Sequence, residues 1–173
     1  DISSIIKYIS LSGFLYALDT ASALMKFHDW KYALVCGTEI LSKIVDWSDR
    51  GTCILFGDGS GAVLIENDFS DENKGFSSFV LGSDGTGVDA LYAGDNGKLV
   101  MDGDAVYNFA VSKMSTILTD LMEKEHLKVE DIDYFLCHQA NERILSAATK
   151  RAKLPAEKVI VNLKYYGNIS SAC

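Results

Sequence analysis

The sequence predicts a layered α/β protein, and two observations carry that expectation. Short apolar runs of strand length alternate with longer stretches in which apolar residues return every three or four positions, the order expected when strands and helices take turns along a chain. The composition agrees: 173 residues, 48% hydrophobic and 23% charged, suffice for a real packed core.

Taken in order, residues 12 to about 28 read as a helix with Phe14, Ala17, Leu18, Ala21 and Met25 on one face. Residues 32–38 are a short apolar run and are expected to form a buried parallel strand. Residues 53–56 and 62–65 read as strands either side of a tight Gly57-Asp58-Gly59-Ser60-Gly61 turn. That turn lacks both the Gly-x-Gly-x-x-Gly spacing and the Lys-Ser/Thr of a phosphate-binding loop, so a nucleotide site is not expected. Residues 76–81 suggest another strand, followed by a glycine-rich loop over 82–87. The longest helix is expected over 105–125, with a stripe of Val106, Ala110, Met114, Ile117, Leu118 and Leu121. A strand at 134–136, a helix at 141–153 and a strand at 159–163 complete the alternation.

Several function classes are disfavoured. The net charge of −8 argues against nucleic acid as a partner. No apolar run approaches the ~20 residues that cross a bilayer, and the opening residues carry no signal-peptide pattern, so a cytoplasmic location is expected. Cys36, Cys53, Cys137 and Cys173 include no Cys-x-x-Cys pair, which predicts neither a disulfide framework nor a metal site. His28 and His126 fit surface positions at helix ends.

Two strings carry the chemistry. Cys137-His138-Gln139-Ala140-Asn141-Glu142-Arg143 precedes Tyr166-Gly167-Asn168-Ile169-Ser170, with Asn168 standing 30 positions after His138. That interval accommodates a strand-end His, one helix, one strand and a loop-borne Asn. Such a pair can aim two side-chain N–H donors at one oxygen and stabilise charge developing on a thioester carbonyl. Taken singly, a strand-end His can be a hydrogen-bonded structural residue, and an Asn after Gly can support its own turn. Charge adds a further signal. Residues 140–164 hold six basic side chains against two acidic ones, although the whole chain is acidic. Arg143 and Lys150 are seven apart and share a helical face with Arg151 beside them. The face is either simply solvated or a docking patch for an acidic partner.

These two strings resemble those of β-ketoacyl-acyl-carrier-protein synthase III, the initiating condensing enzyme of type II fatty-acid synthesis. Two more stretches support the likeness: Asp46-Trp47-Ser48-Asp49-Arg50-Gly51-Thr52, leading into Phe56-Gly57-Asp58-Gly59-Ser60-Gly61-Ala62, and Ser12-Gly13-Phe14. The resemblance implies a thiolase-like layered fold of two similar halves. Residues 1–81 would be the latter part of the first half, and 82–173 most of the second, ending before its closing strands. It implies decarboxylative Claisen condensation of an acyl-CoA, acetyl-CoA foremost, with malonyl-acyl-carrier protein. No cofactor is expected, coenzyme A entering only as the thioester substrate, and a homodimer is expected.

By the same resemblance His138 and Asn168 bind the malonyl thioester carbonyl, and the carrier protein docks on Gln139, Ala140, Asn141 and Arg143, with Lys150 and Arg151 extending the patch. Arg50 would contact the coenzyme A nucleotide, although a salt bridge to Asp46 or Asp49 explains it equally. Gly103 would sit at the pantetheine tunnel, although a helix-start turn explains it as well. The chain departs from the family pattern at the nucleophile position, where Leu11 replaces Cys and offers no nucleophilic atom. It also departs at Asn108, where a basic residue is usual. Two alternatives stay open: a related starter synthase of polyketide or secondary metabolism, and a non-catalytic carrier-binding partner subunit, which Leu11 favours.

Overall fold

A computed structural model describes residues 12–68, 70 and 74–172. Leu11, with the nucleophile position it occupies, and Cys173 lie outside the described residues, as does the stretch 1–10. Helix α1 spans Gly13–His28 and buries Leu18 and Met25. It ends where Asp29 turns left-handed (φ 54°) and returns its N–H to the Met25 carbonyl, satisfying one of the last orphan acceptors.

Strand β1, Tyr32–Ile40, pairs with β2, Asp58–Glu66, from Tyr32 opposite Glu66 to Ile40 opposite Asp58. The pairing is antiparallel, which corrects the expected parallel strand. Nor is β1 buried on both faces. Val35 points into the protein, whereas Leu34 and its partner Leu64 are 66% and 68% exposed. An apolar run reports that both faces are apolar, not which of them is covered.

The glycine block is not a turn either. Gly59 and Gly61 lie within β2, while 53–56 forms a series of tight turns, Cys53 N–H to Asp49 O and Leu55 N–H to Thr52 O. Only Phe56 pairs there, in a parallel bridge to Asn168. Residues 76–81 form no strand; the Phe79 carbonyl instead accepts from Lys124 Nζ at 3.0 Å.

A short hairpin absent from the sequence reading joins β3, Leu91–Ala93, to β4, Leu99–Met101. Its turn uses Gly97 at φ 72° within Asp95-Asn96-Gly97, an Asn-Gly signal legible in retrospect. Leu99 N–H bonds Ile44 O, tying this hairpin to the loop after β1.

Helix α2, Gly103–Lys124, starts from Asp102, whose carboxylate accepts from the Asp104 and Ala105 amides. Helix α3, Glu142–Arg151, starts from Asn141, whose Oδ1 accepts from Ile144 N at 2.8 Å. The two helices pack on each other, and beneath them Phe135, Ala152 and Leu154 form a core with Leu118, Met122, Val129, Ile132, Cys137 and Val159. The α2 stripe differs from expectation: Ile117 is exposed, and Ser115 is buried in its place. Its hydroxyl returns to Ser112 O, so the polar atom is satisfied on its own helix. Of the strand expected at 159–163, Val159 bridges Phe135 in parallel, and the chain enters the single-turn helix α4, Leu163–Tyr166. A last 3₁₀ turn, Ser170–Ala172, lies against β1, β2 and α1.

Candidate active site

The His138 arm begins with Phe135, whose N–H bonds Lys158 O and whose carbonyl accepts from Ile160 N–H. The chain therefore runs parallel to 158–160 just before His138. Gln139 closes the arm from inside. It is 4% exposed, its Nε2 donates to Cys137 O (2.9 Å) and Ile160 O (3.1 Å), and its Oε1 accepts from Asn162 N (3.0 Å). One amide thus staples the His138 segment to the segment that leads toward Asn168. Every bond shown for Gln139 is internal, and its removal would strand buried backbone groups.

His138 is half-buried and its Nε2 is buried outright. Burial lowers the imidazole below its ordinary value of 6.5, favouring the neutral ring with a single N–H. Burial pushes the neighbouring Cys137 thiol upward, so it stays protonated at neutral pH and makes a poor nucleophile.

The Asn168 arm comes from the other end of the chain. Gly167 takes φ 67°, and around it Asn168 N–H bonds Leu55 O while Gly57 N–H bonds Asn168 O. Asn168 is 6% exposed. Its Oδ1 accepts from Ser170 N at 3.0 Å, which orients the carboxamide and turns the Nδ2 end away as the available donor.

Four glycines make room for this loop. A Cβ at Gly57 would press on Tyr166 O, at Gly59 on Ile169 Cδ1 (2.7 Å), at Gly61 on Ala172 O (3.2 Å), and at Gly37 on the Ser171 carbonyl. The sequence signal was the every-second-residue spacing of Gly57, Gly59 and Gly61, a strand period serving as a shelf and not a turn.

The other expected residues divide. Arg143, Lys150 and Arg151 are exposed on α3, with the Arg143 guanidinium 5.5 Å from the centre of the Tyr107 ring. The Asn141 Oδ1 caps α3, and Ala140 is half-buried. Arg50 is exposed, and the salt bridge offered for it does not form among the described residues. Asp46 accepts from Ser48, and Asp49 from Gly51 N and Thr52 Oγ1. Gly103 is the exposed first residue of α2 with open space where a Cβ would stand. Asn108 is likewise exposed. A shallow pocket of about 150 Å³ between α2 and α3 is lined by Ser115, Thr116, Thr119, Arg151 and Ala152, and includes neither His138 nor Asn168.

Comparison with known proteins agrees with this architecture. Residues 10–85 match the family model for 3-oxoacyl-[acyl-carrier-protein (ACP)] synthase III, and residues 122–173 match the model for its C-terminal part. A β-ketoacyl-[acyl-carrier-protein] synthase III of Clostridium acetobutylicum is 46% identical over 175 residues, covering 93% of this chain and 53% of that protein. One from Prochlorococcus marinus is 44% identical over 178 residues, covering 93% of this chain and 52% of that protein. The crystal structure of a synthase III from Thermus thermophilus superposes with a TM-score of 0.87 at 44% identity, over 95% of this chain and 54% of that one. The chain thus spans about half the length of the relatives it matches. Its fold is the thiolase-like layered α/β fold of those structures. By both sequence models and by superposition, the chain belongs to the 3-oxoacyl-[acyl-carrier-protein] synthase III family.

Proposed function

We propose that this chain serves the initiating condensation of fatty-acid synthesis, joining an acyl-CoA, acetyl-CoA foremost, to malonyl-acyl-carrier protein in the cytoplasm as part of a homodimer. Residues 1–81 would belong to the first thiolase-like half and 82–173 to the second. The observation that carries the reading is chemical: a half-buried imidazole at His138 whose Nε2 is buried, and a buried carboxamide at Asn168 oriented by the Ser170 amide, both on arms fixed by backbone bonding.

Such donors suit an enolate. When a malonyl thioester loses CO₂, the electron pair of the breaking C–C bond moves into an enolate whose charge rests on the thioester oxygen. The His138 N–H and the Asn168 Nδ2–H would each donate to that oxygen, and neither needs to change protonation state to do so. Burial strengthens both bonds by excluding competing water. In the full condensation the enolate carbon attacks the carbonyl of an acyl thioester, and the new C–C bond forms as the C–S bond breaks and the thiolate leaves. The residue that would hold that acyl group is Leu11 here, so the half-reaction assigned to this chain's own residues is the decarboxylation. It ends when the enolate carbon takes a proton from water and leaves an acetyl thioester on the carrier.

CO₂ release from malonyl-carrier protein tests the reading. His138→Ala should lower the rate about 10²–10³-fold, the usual effect of removing one oxyanion donor, and equal rates would refute it. Intact-mass measurement after exposure to acetyl-CoA examines the other half, and no gain of acetyl mass is expected with Leu11 in place. Arg143, Lys150 and Arg151 would guide the acidic carrier. Arg143→Glu should raise the KM for malonyl-carrier protein roughly tenfold at low salt and leave that for malonyl-pantetheine unchanged. Equal shifts for both substrates would remove α3 from the docking surface.

A further inference from the structure

Behind the Asn168 loop stands a carboxylate that none of this chemistry uses. Glu39 is the next-to-last residue of β1, and its Oε1 alone takes three hydrogen bonds from the chain's final turn. Ser171 Oγ donates at 2.6 Å, Ser170 Oγ at 3.0 Å and the Ser171 amide at 3.3 Å. Both serines are buried. Ser170 is held at φ 55°, a left-handed conformation that a non-glycine residue keeps only when its surroundings impose it. The amide of that same Ser170 donates to Asn168 Oδ1 at 3.0 Å. Two residues before Glu39, Gly37 leaves the space that the Ser171 carbonyl fills.

We propose that Glu39 is a positioning residue for Asn168. Its carboxylate clamps Ser170 and Ser171, the clamp holds the Ser170 amide in its left-handed pose, and that amide aims the Asn168 carboxamide so that Nδ2 faces the reacting oxygen. A carboxylate suits the task because it only accepts. Three donors converge on it without a competing donor of its own, and its charge strengthens each bond. The contacts link positions more than 130 residues apart in sequence, so the edge of the β1–β2 pair sets the orientation of a side chain near the other end of the chain. The inference rests on the reading of Asn168 as an enolate-binding residue and adds the group that orients it.

Two readouts test the clamp separately from that reading: backbone amide exchange over residues 168–172, and the decarboxylation rate of malonyl-carrier protein. Glu39→Ala should speed exchange there at least tenfold and lower kcat on the order of 10²-fold with little change in KM, as expected when a reacting group drifts by about 1 Å. Glu39→Gln keeps the Oε1 acceptor and should recover most of both, which also guards against an Ala variant that simply fails to fold. In an Asn168→Ala background, Glu39→Ala should change the rate no further, because it acts through the side chain already removed. Unchanged exchange and rate in Glu39→Ala, or losses that multiply in the double variant, would overturn the clamp. An Asn168→Ala protein with full activity would instead refute the reading of the site, and the exchange measurement alone would then decide the clamp.

Discussion

Burial acts in opposite directions on two adjacent residues. It raises the Cys137 thiol and lowers the His138 imidazole, so each is driven toward its neutral form. For His138 this has a consequence for stability with a definite sign. Above pH 6.5 the ring is neutral in both folded and unfolded chains and contributes no slope. As pH falls through 6.5 the unfolded chain takes up a proton that the folded chain refuses, so stability is lost until the lower folded value is reached. Urea unfolding between pH 5 and 7 should therefore show a steeper fall for the parent protein than for His138→Gln, and parallel curves would contradict the burial argument. The motif strings made His138 and Asn168 legible as chemistry. They did not separate Gln139, which has the same polar look as its neighbours, because an amide's role depends on which carbonyls the folded chain brings within reach of it. The same holds for Asn141, whose Oδ1 is taken by the Ile144 amide in the fold.

At the level of elements, the long amphipathic helices and the places of β1 and β2 were readable, and the pairing of the strands was not. The extents of α1 and α2 follow from a period of 3.6, and the start of α2 also from the Asp102 cap, all local properties. Strand direction is non-local, and so β1 was expected to be parallel. The glycine block shows the same limit. Three glycines two apart are consistent with a turn until the loop 166–172 is seen lying on them. Gly37 is the strictest of this group, because a Cβ would meet backbone, the Ser171 carbonyl, whereas at Gly59 it would meet first the movable tip of Ile169. Gly37→Ala should cost roughly 1–3 kcal/mol, in the range of overpacking substitutions, and Gly59→Ala less. Thermal melts of the two variants check the order, and equal or inverted losses would show that the loop does not rest on β1 as described.

At the scale of the whole molecule, apolar surface stands open among the described residues, including Tyr32, Leu34, Ile40 and Leu64 on the open side of the β1–β2 pair. Contiguous apolar surface of this kind marks a face meant to be covered. The 173-residue chain in isolation should therefore bind an apolar dye such as ANS and self-associate in sedimentation velocity. A dye-silent, monodisperse monomer would mean the open face is stable in water.

Motif chemistry and helical periodicity are written in residues close together along the chain, so the sequence alone determined the family, the layered α/β class, the α1 and α2 helices and the His138–Asn168 pair as candidates. Tertiary structure decided which face of β1 is covered, that Gln139 staples two segments, that glycines form a shelf, and that Glu39 grips the Ser170–Ser171 turn. These depend on hydrogen bonds and contacts between groups as much as 132 positions apart, and no local pattern records which distant partner a polar group will meet once the chain has closed on itself.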